Sequence, residues 1–310
     1  MRPMLRPGIH VLDRRDHRLQ VGLDPRHAVL LRDEEPVRNT LTLLTSTGAS
    51  AESTDPATVA ALADAGLLVD EGVLRPLVAV TAPAAPGRHD RAALARSDGE
   101  DALGLVERRR RHRTTVTGFG GPPGQRLAKA LAGLLGEAGV PADTGDAPRP
   151  GDRVVVLVGV GEPRRELVDQ AMRADLPHLL VRMREGEVVL GPFVAPGRTA
   201  CLRCADAHLT DADPCWPLLV AQYAARDAGE RSDGVPEPVD GLLAAVAVAW
   251  AARDVASYAE DRRPTTWSAT LRLDAQLAAI ETQPWLRHPA CGCSWGEPVP
   301  DHHRSDTMGT

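Results

Sequence analysis

The sequence predicts an α/β protein: a small N-terminal winged-helix-like α+β module, then a larger α/β domain with a structural metal site. Three observations lead there. Strand-like runs followed by helical ones occupy residues 1–80. Strand and helix patterns then alternate from Thr114 to about Trp295. Two close cysteine pairs, Cys201/Cys204 and Cys291/Cys293, are separated by 86 residues.

Composition narrows the function. The chain has 310 residues, 43% apolar and 25% charged, the balance of a soluble globular protein with room for two domains. Aromatic residues make up only 3%, so the core must be built from Ala, Val and Leu, and stacking of bases on aromatic platforms is disfavoured. A net charge of -6 disfavours generic binding to nucleic acid or to an anionic membrane, so neither is an expected partner. Met1–Arg18 is studded with Arg and Asp and has no apolar run, unlike a signal peptide. The longest uncharged apolar stretch, Leu242–Ala252, falls short of the roughly 20 residues a bilayer requires. A cytoplasmic location is the expectation, with the five cysteines reduced.

In the first segment, Gly8–Leu12 is extended in character, Leu19–Leu23 alternates, Asp24-Pro25 punctuates, and Ala28–Arg32 reads as a third strand. Pro36 opens a helical stretch with Val37, Leu41 and Leu44 on its apolar side, and Thr45–Ser53 reads as a polar loop. Thr54 or Asp55 can cap a second helix that has Pro56 in its first turn and Val59, Leu62 and Ala63 at helical spacing. Gly66 ends it, and Leu67–Val69 follows as a short apolar tail. Residues 81–113 read as a linker. It opens Ala-Pro-rich and ends in the basic run Glu107–Arg113, which is expected to be solvated.

Residues 114–296 have α/β rhythm. Thr114–Gly120 is a strand running into a Gly-rich turn, and Gln125–Ala138 is an amphipathic helix through Leu127, Leu131, Leu134 and Leu135. Val154–Val160 is a continuous apolar run, as expected of a strand buried on both faces. Arg165–Ala174 is helical. Leu179–Met183 and Val188–Val194 form strands joined at Glu185-Gly186, Leu242–Tyr258 is an Ala-rich helix, and Thr265–Glu281 has strand character. This alternation favours a mainly parallel sheet. Residues 297–310, with His302-His303, read as a disordered tail.

The cysteine pairs are a CxxC and a CxC, each preceded by turn chemistry (Pro196-Gly197 and His288-Pro289). Cys201, Cys204, Cys291 and Cys293 can meet as a tetrahedral sulfur cage for structural zinc, closed by four thiolates and so not catalytic. A redox CxxC is the alternative, weakened because Cys201 is expected to follow a loop rather than to open a helix. Cys215 is expected to be a buried small apolar residue.

Gly118, Gly120, Gly121 and Gly124 lie between a strand and a helix, the context of a phosphate cradle. Pro122 and Pro123 each remove an N–H from it. About twenty residues on, where an acidic ribose ligand is expected at a strand end, Ala142–Pro150 reads as a loop. A degenerate structural turn, with no ATP bound by this chain, is the favoured reading.

Together, Val154–Val160, Arg164-Arg165, Pro177–Leu180 and Gly191–Cys204, in that order, resemble the ubiquitin-activating-type adenylating fold of ThiF and MoeB. The resemblance implies a degenerate ThiF-like, Rossmann-type domain whose CxxC and CxC are two zinc half-sites. Active members carry Asp-Asn at the end of the strand matching Val154–Val160; here it ends Gly159-Val-Gly-Glu-Pro163, and the earlier strand with the acidic ligand is not evident. The whole order adds Gly191-Pro-x-x-x-Pro-Gly197, Asp213-Pro-x-Trp216 and His288-Pro-x-Cys-x-Cys293. It is similar to the leader-peptide-binding partner proteins of thiazole/oxazole-modified microcin (TOMM) biosynthesis, the ocin-ThiF-like cyclodehydratase partners.

That family resemblance implies a binding protein without chemistry of its own. It would hold the leader of a ribosomal precursor peptide and present it to a YcaO-type, ATP-dependent cyclodehydratase, and it could form a homodimer. The implied mechanism is strand addition at Ala28–Leu31 against the Pro56–Ala65 helix, placing Val29, Leu31, Val59 and Leu62 near the groove. Two other readings stand beside it. One is an adenylating enzyme acting on a carboxylate. The other is a winged-helix DNA reader, disfavoured by net charge and by a Pro56–Ala65 helix without Arg or Lys.

Overall fold

The computed structural model describes residues 2–46, 53–79, 87–225 and 235–294. It divides into two compact units, one from residues 1–111 with 137–140 and the other from 112–136 with 141–310.

In the first unit, β1 (Pro3–Leu5) pairs antiparallel with a strand far along the chain, described below. β2 (Val11–Asp13), β3 (Arg18–Val21) and β4 (Val29–Arg32) form an antiparallel meander in that order, at the three expected places. α1 (Glu35–Ser46) runs one residue past Thr45 into the expected polar loop, of which 47–52 lie outside the described residues. α2 (Pro56–Asp64) is capped by Asp55, whose Oδ2 accepts from the Thr58 amide at 2.9 Å, and Gly66 follows at φ +67. Leu5, Leu19, Val21, Leu41, Leu44, Leu62 and Leu67 form the core beneath these elements.

The expected apolar tail is β5 (Leu68–Asp70), the partner of β1. It leads into α3 (Glu71–Ala79), a helix the sequence hides behind its interior Pro76. Of the expected linker, residues 81–86 lie outside the described residues, and the rest is not a solvated connector. It folds as α4 (Arg88–Asp98) and α5 (Ala102–Arg111). Leu94, Ala95, Ala102 and Leu105 pack with Met4, Val69, Leu74 and Leu77 in a second core. The basic run folds inward at one residue. Arg109 is buried, and its Nη1 donates to Asp90 Oδ2 at 2.7 Å and to the Ala138 carbonyl at 2.8 Å. Burial of a paired guanidinium distinguishes it from its exposed neighbours Arg110 and Arg111 only through tertiary structure.

The second unit is a sheet with helices. Its elements are β6 (Thr114–Phe119), α6 (Gly121–Glu137), β7 (Ala142–Thr144), β8 (Val154–Val160), α7 (Arg165–Arg173), β9 (His178–Arg184), β10 (Glu187–Val194), α8 (Leu202–Ala212), α9 (Trp216–Ala225), α10 (Gly241–Ala259), β11 (Ala269–Leu273) and β12 (Ile280–Pro284). The strand order is β12-β11-β10-β9-β8-β6-β7. Pairs from β7 to β9 are parallel and pairs from β9 to β12 antiparallel, so the sheet is mixed rather than mainly parallel. The reason is the β9–β10 connection. Glu185 and Gly186 both take positive φ (+54 and +81), which makes a tight hairpin instead of a crossover. All seven residues of β8 are buried, as its apolar run requires.

By length and composition alone, α10 could cross a membrane. In this unit it packs Leu243, Ala247, Ala251 and Val255 into the core, and its buried Asp254 accepts from the amides and hydroxyls of Thr265 and Thr266. The expected tail, 297–310, lies outside the described residues.

Candidate functional site

The four sulfurs predicted to meet do so. Cys201 is the N-cap of α8 and Cys204 lies in its first turn, while Cys291 and Cys293 come from the segment after β12. Sγ–Sγ distances are 3.8 Å for Cys201–Cys204, 3.6 Å for Cys201–Cys291 and 3.3 Å for Cys204–Cys293. Four thiolates about 2.3 Å from a tetrahedral zinc stand about 3.8 Å apart, so the cluster has the size the ion demands. Val194, Ala200, Met172 and Trp285 shield it from solvent. Hydrogen bonding with Cys201 and the His288 amide holds the Cys204 thiol down at about 4, whereas the same Cys201–Cys204 bond pushes Cys201 up and burial pushes Cys291 up to about 11. One sulfur is thus a ready anion, and a dication would draw the remaining protons off.

Two cysteine expectations need correction. Cys201 does open a helix, so that argument against a redox role fails. What disfavours one is the approach of the two further thiols of the CxC. Cys215 is exposed, not buried. It sits in a turn where the Asp213 carboxylate accepts its amide at 3.0 Å, outside any core.

The glycine-rich turn packs backbone on backbone. Gly120 and Gly121 take φ +77 and +71. A Cβ on Gly124 would stand 1.8 Å from the Phe119 carbonyl, one on Gly120 2.2 Å from the Val160 carbonyl, and one on Gly118 2.7 Å from the Gly124 carbonyl. These positions require glycine for the close approach of β6, α6 and β8. Pro122 and Pro123 stand in the first turn of α6, where amides would be free in any case. Contrary to expectation, the next strand exists: Ala142–Thr144 is β7, and it carries Asp143. Arg113 and Arg149 approach that carboxylate at 3.3 and 3.4 Å.

Beyond the end of β8 lies a group the sequence left unmarked. The buried Glu162 carboxylate is shared by Arg165 (2.9 Å), Arg182 (3.0 Å) and Arg184. Arg165 also binds both oxygens of Asp206 at 2.7 and 2.8 Å, and Trp216 Nε1 donates to the same carboxylate at 3.0 Å. Burial alone would raise the Glu162 carboxyl; the guanidiniums of Arg182, Arg165 and Arg184 outweigh it and hold the group below its usual range. The only sequence signal is Glu162-Pro163 just past β8, in the place of the Asp-Asn that the resemblance implies.

In the first unit, β4 is the end strand of its meander, and no strand pairs with its outer edge among the described residues. The Asp33 amide donates to the His17 carbonyl, so in this antiparallel ladder Leu31/Leu19 and Val29/Val21 exchange hydrogen bonds. The amides of Leu30 and Arg32 therefore point outward. Val29, Leu31 and the α2 residue Val59 are half-buried against the core. Leu62 is fully buried. It lies on the inner face of α2, packed in the core with Leu41, Leu44 and Leu67, and so cannot line an open groove.

No sequence family and no curated protein matches the chain. Solved structures do. The heterocyclase TruD aligns at TM-score 0.65 and 16% identity over 94% of this chain and 42% of its own. A heterocyclase in complex with substrate and cofactor aligns at 0.63 and 18% over 94% and 39%. MccB of E. coli aligns at 0.60 and 12% over 99% of this chain and 100% of its own. This chain shares their fold. It spans about two fifths of the two heterocyclase structures and all of MccB. MccB has also been solved with ATP and with MccA.

Proposed function

We propose that this chain binds the leader of a ribosomally made precursor peptide along the outer edge of β4 and presents it to a YcaO-type cyclodehydratase, in the cytoplasm. The observation that carries the reading is the unpaired edge itself. It offers outward backbone donors at Leu30 and Arg32, with the half-buried Val29, Leu31 and Val59 beside it. An extended peptide satisfies such an edge by adding a strand, while side-chain pockets choose its sequence. Delivery then acts by raising the effective concentration of the core peptide at the partner's active site. The shared fold supports the reading, since its neighbours include a heterocyclase with substrate and MccB with MccA.

The cyclisation of precursor Cys, Ser or Thr side chains to azolines is assigned to the partner. Glu162, just past the end of β8, has both oxygens engaged by arginines and is not free to serve a nucleotide or a metal. Zinc, held by Cys201, Cys204, Cys291 and Cys293, would be structural, because four thiolates leave no open coordination position.

Amide hydrogen exchange of the full chain with and without its precursor leader tests strand addition. Slowed exchange at Leu30 and Arg32, with little change at Leu31, is the expected pattern. Unchanged exchange across β4 at saturating leader refutes it.

A further inference from the structure

The arm carrying the CxC reaches α8 through more than its thiols. His208 Nε2 on α8 donates to the Leu286 carbonyl at 3.0 Å, and Arg287 Nη1 donates to the Gly197 carbonyl at 2.9 Å. His288 Nε2 lies 2.9 Å from Asp211 Oδ2, and its Nδ1 accepts the Ala290 amide at 3.1 Å. The His288 carbonyl accepts the Cys291 amide at 2.9 Å. One residue thus touches α8 by its ring and the CxC by its carbonyl.

His208, Asp211 and His288 bring ligand-type atoms within 4.8 Å of one another, the spacing of a second metal site. Their hydrogen bonds say otherwise. An imidazole binds a metal through an unprotonated nitrogen while the other nitrogen donates. In His288 the Nδ1 lone pair is taken by an amide, so Nε2 carries the proton and gives it to Asp211. In His208 Nε2 donates to a carbonyl, but without His288 only His208 and Asp211 remain, too few ligands for a site. Two donors facing a carboxylate and a carbonyl make a clamp.

We infer that Asp211 and His288 form a latch that fixes the CxC arm on α8 and sets how fast the four-cysteine centre loses its metal. The inference rests on the zinc reading. A zinc site opens when one pair of thiolates swings away, and here that pair is anchored three residues upstream by His288. Groups that orient ligands from outside the coordination shell change metal binding by about 10- to 100-fold when removed. Asp211 is a positioning residue in this scheme. Its side chain is 69% exposed, so its truncation leaves no cavity.

The test is zinc release from the loaded full-length chain to a chromogenic chelator. Asp211→Ala is expected to release zinc about ten-fold faster. Asp211→Asn keeps an acceptor for Nε2–H and is expected to stay near the native rate, a rescue that a general loss of surface charge would not give. Release from Asp211→Ala at the native rate, or from Asp211→Asn as fast as from Asp211→Ala, overturns the latch alone. A native chain that takes up no zinc overturns the zinc reading and the latch with it.

Discussion

Cys204 Sγ stands 3.3 Å from Cys293 Sγ although the two residues are 89 positions apart. The contact joins the first turn of α8 to the segment after β12. It closes a loop that contains α9, α10 and both edge-side strands of the antiparallel half-sheet. Cys204→Ser removes one of the four ligands. The purified variant is expected to lose its zinc, measured by elemental analysis, and its second unit to lose more than about 4 kcal/mol, loss of a structural metal being among the few mechanisms that cost so much. Native protein free of zinc and equally stable would contradict this.

Glu162 ties α7, β9 and the end of β8 together through Arg165, Arg182 and Arg184. Its folded pKa is held below the ordinary value of 4.5. A depressed carboxyl contributes stability that is fully present above the unfolded value and lost as pH falls through the folded one. Urea unfolding across the acid range is therefore expected to show a steep loss below about pH 4.5 that is shallower in Glu162→Gln. At neutral pH that variant is expected to cost about 3–5 kcal/mol, because three guanidiniums lose their common anion. An unchanged acid limb would show that other carboxylates control it.

Arg109 and Arg110 are adjacent in the basic run and differ in burial. The side chain of the first is 2% exposed and that of the second 53%. Arg109→Ala removes bonds to Asp90 and the Ala138 carbonyl, and a loss of about 2–4 kcal/mol is expected. Arg110→Ala is expected to stay within about 0.5 kcal/mol of native. Thermal melts of the two variants compare them directly, and equal melting temperatures would contradict the packed helix α5.

Leu62 and Leu30 separate core from edge. Leu62→Ala empties a fully buried position and is expected to cost about 2–5 kcal/mol in stability. Leu30→Pro removes one outward amide from an edge strand, which tolerates proline there, and is expected to leave folding near native. Circular dichroism melts distinguish the two, and a Leu30→Pro chain that fails to fold would place that amide inside the sheet.

Much of this architecture was readable from residue order because the signals were local. The apolar run Val154–Val160 could only be a doubly buried strand, the Asp55-Pro56 pair marked a capped helix start, and paired cysteine spacing announced ligands whatever the fold between them. The misses share a cause. β7 is three residues long at a sheet edge, too short for Ala-Asp-Thr to alternate visibly. α4 and α5 spend about half their positions on charge, and their buried stripe is a few residues interrupted by Gly99. The Glu162 cluster unites strand and helix residues that are distant in sequence, and no periodicity reports which arginine will turn inward. Leu62 had the right spacing for a groove, but spacing identifies the buried face of a helix without saying whether another chain or the protein's own core covers it.

The central claim is that β4 holds another polypeptide. Fluorescence polarisation of a labelled precursor leader, titrated with the full-length chain, addresses it most directly. Saturable binding is expected, weakened about ten-fold by Leu30→Pro through loss of a backbone hydrogen bond and its register. A flat titration with the leader, or full affinity in Leu30→Pro, would contradict it.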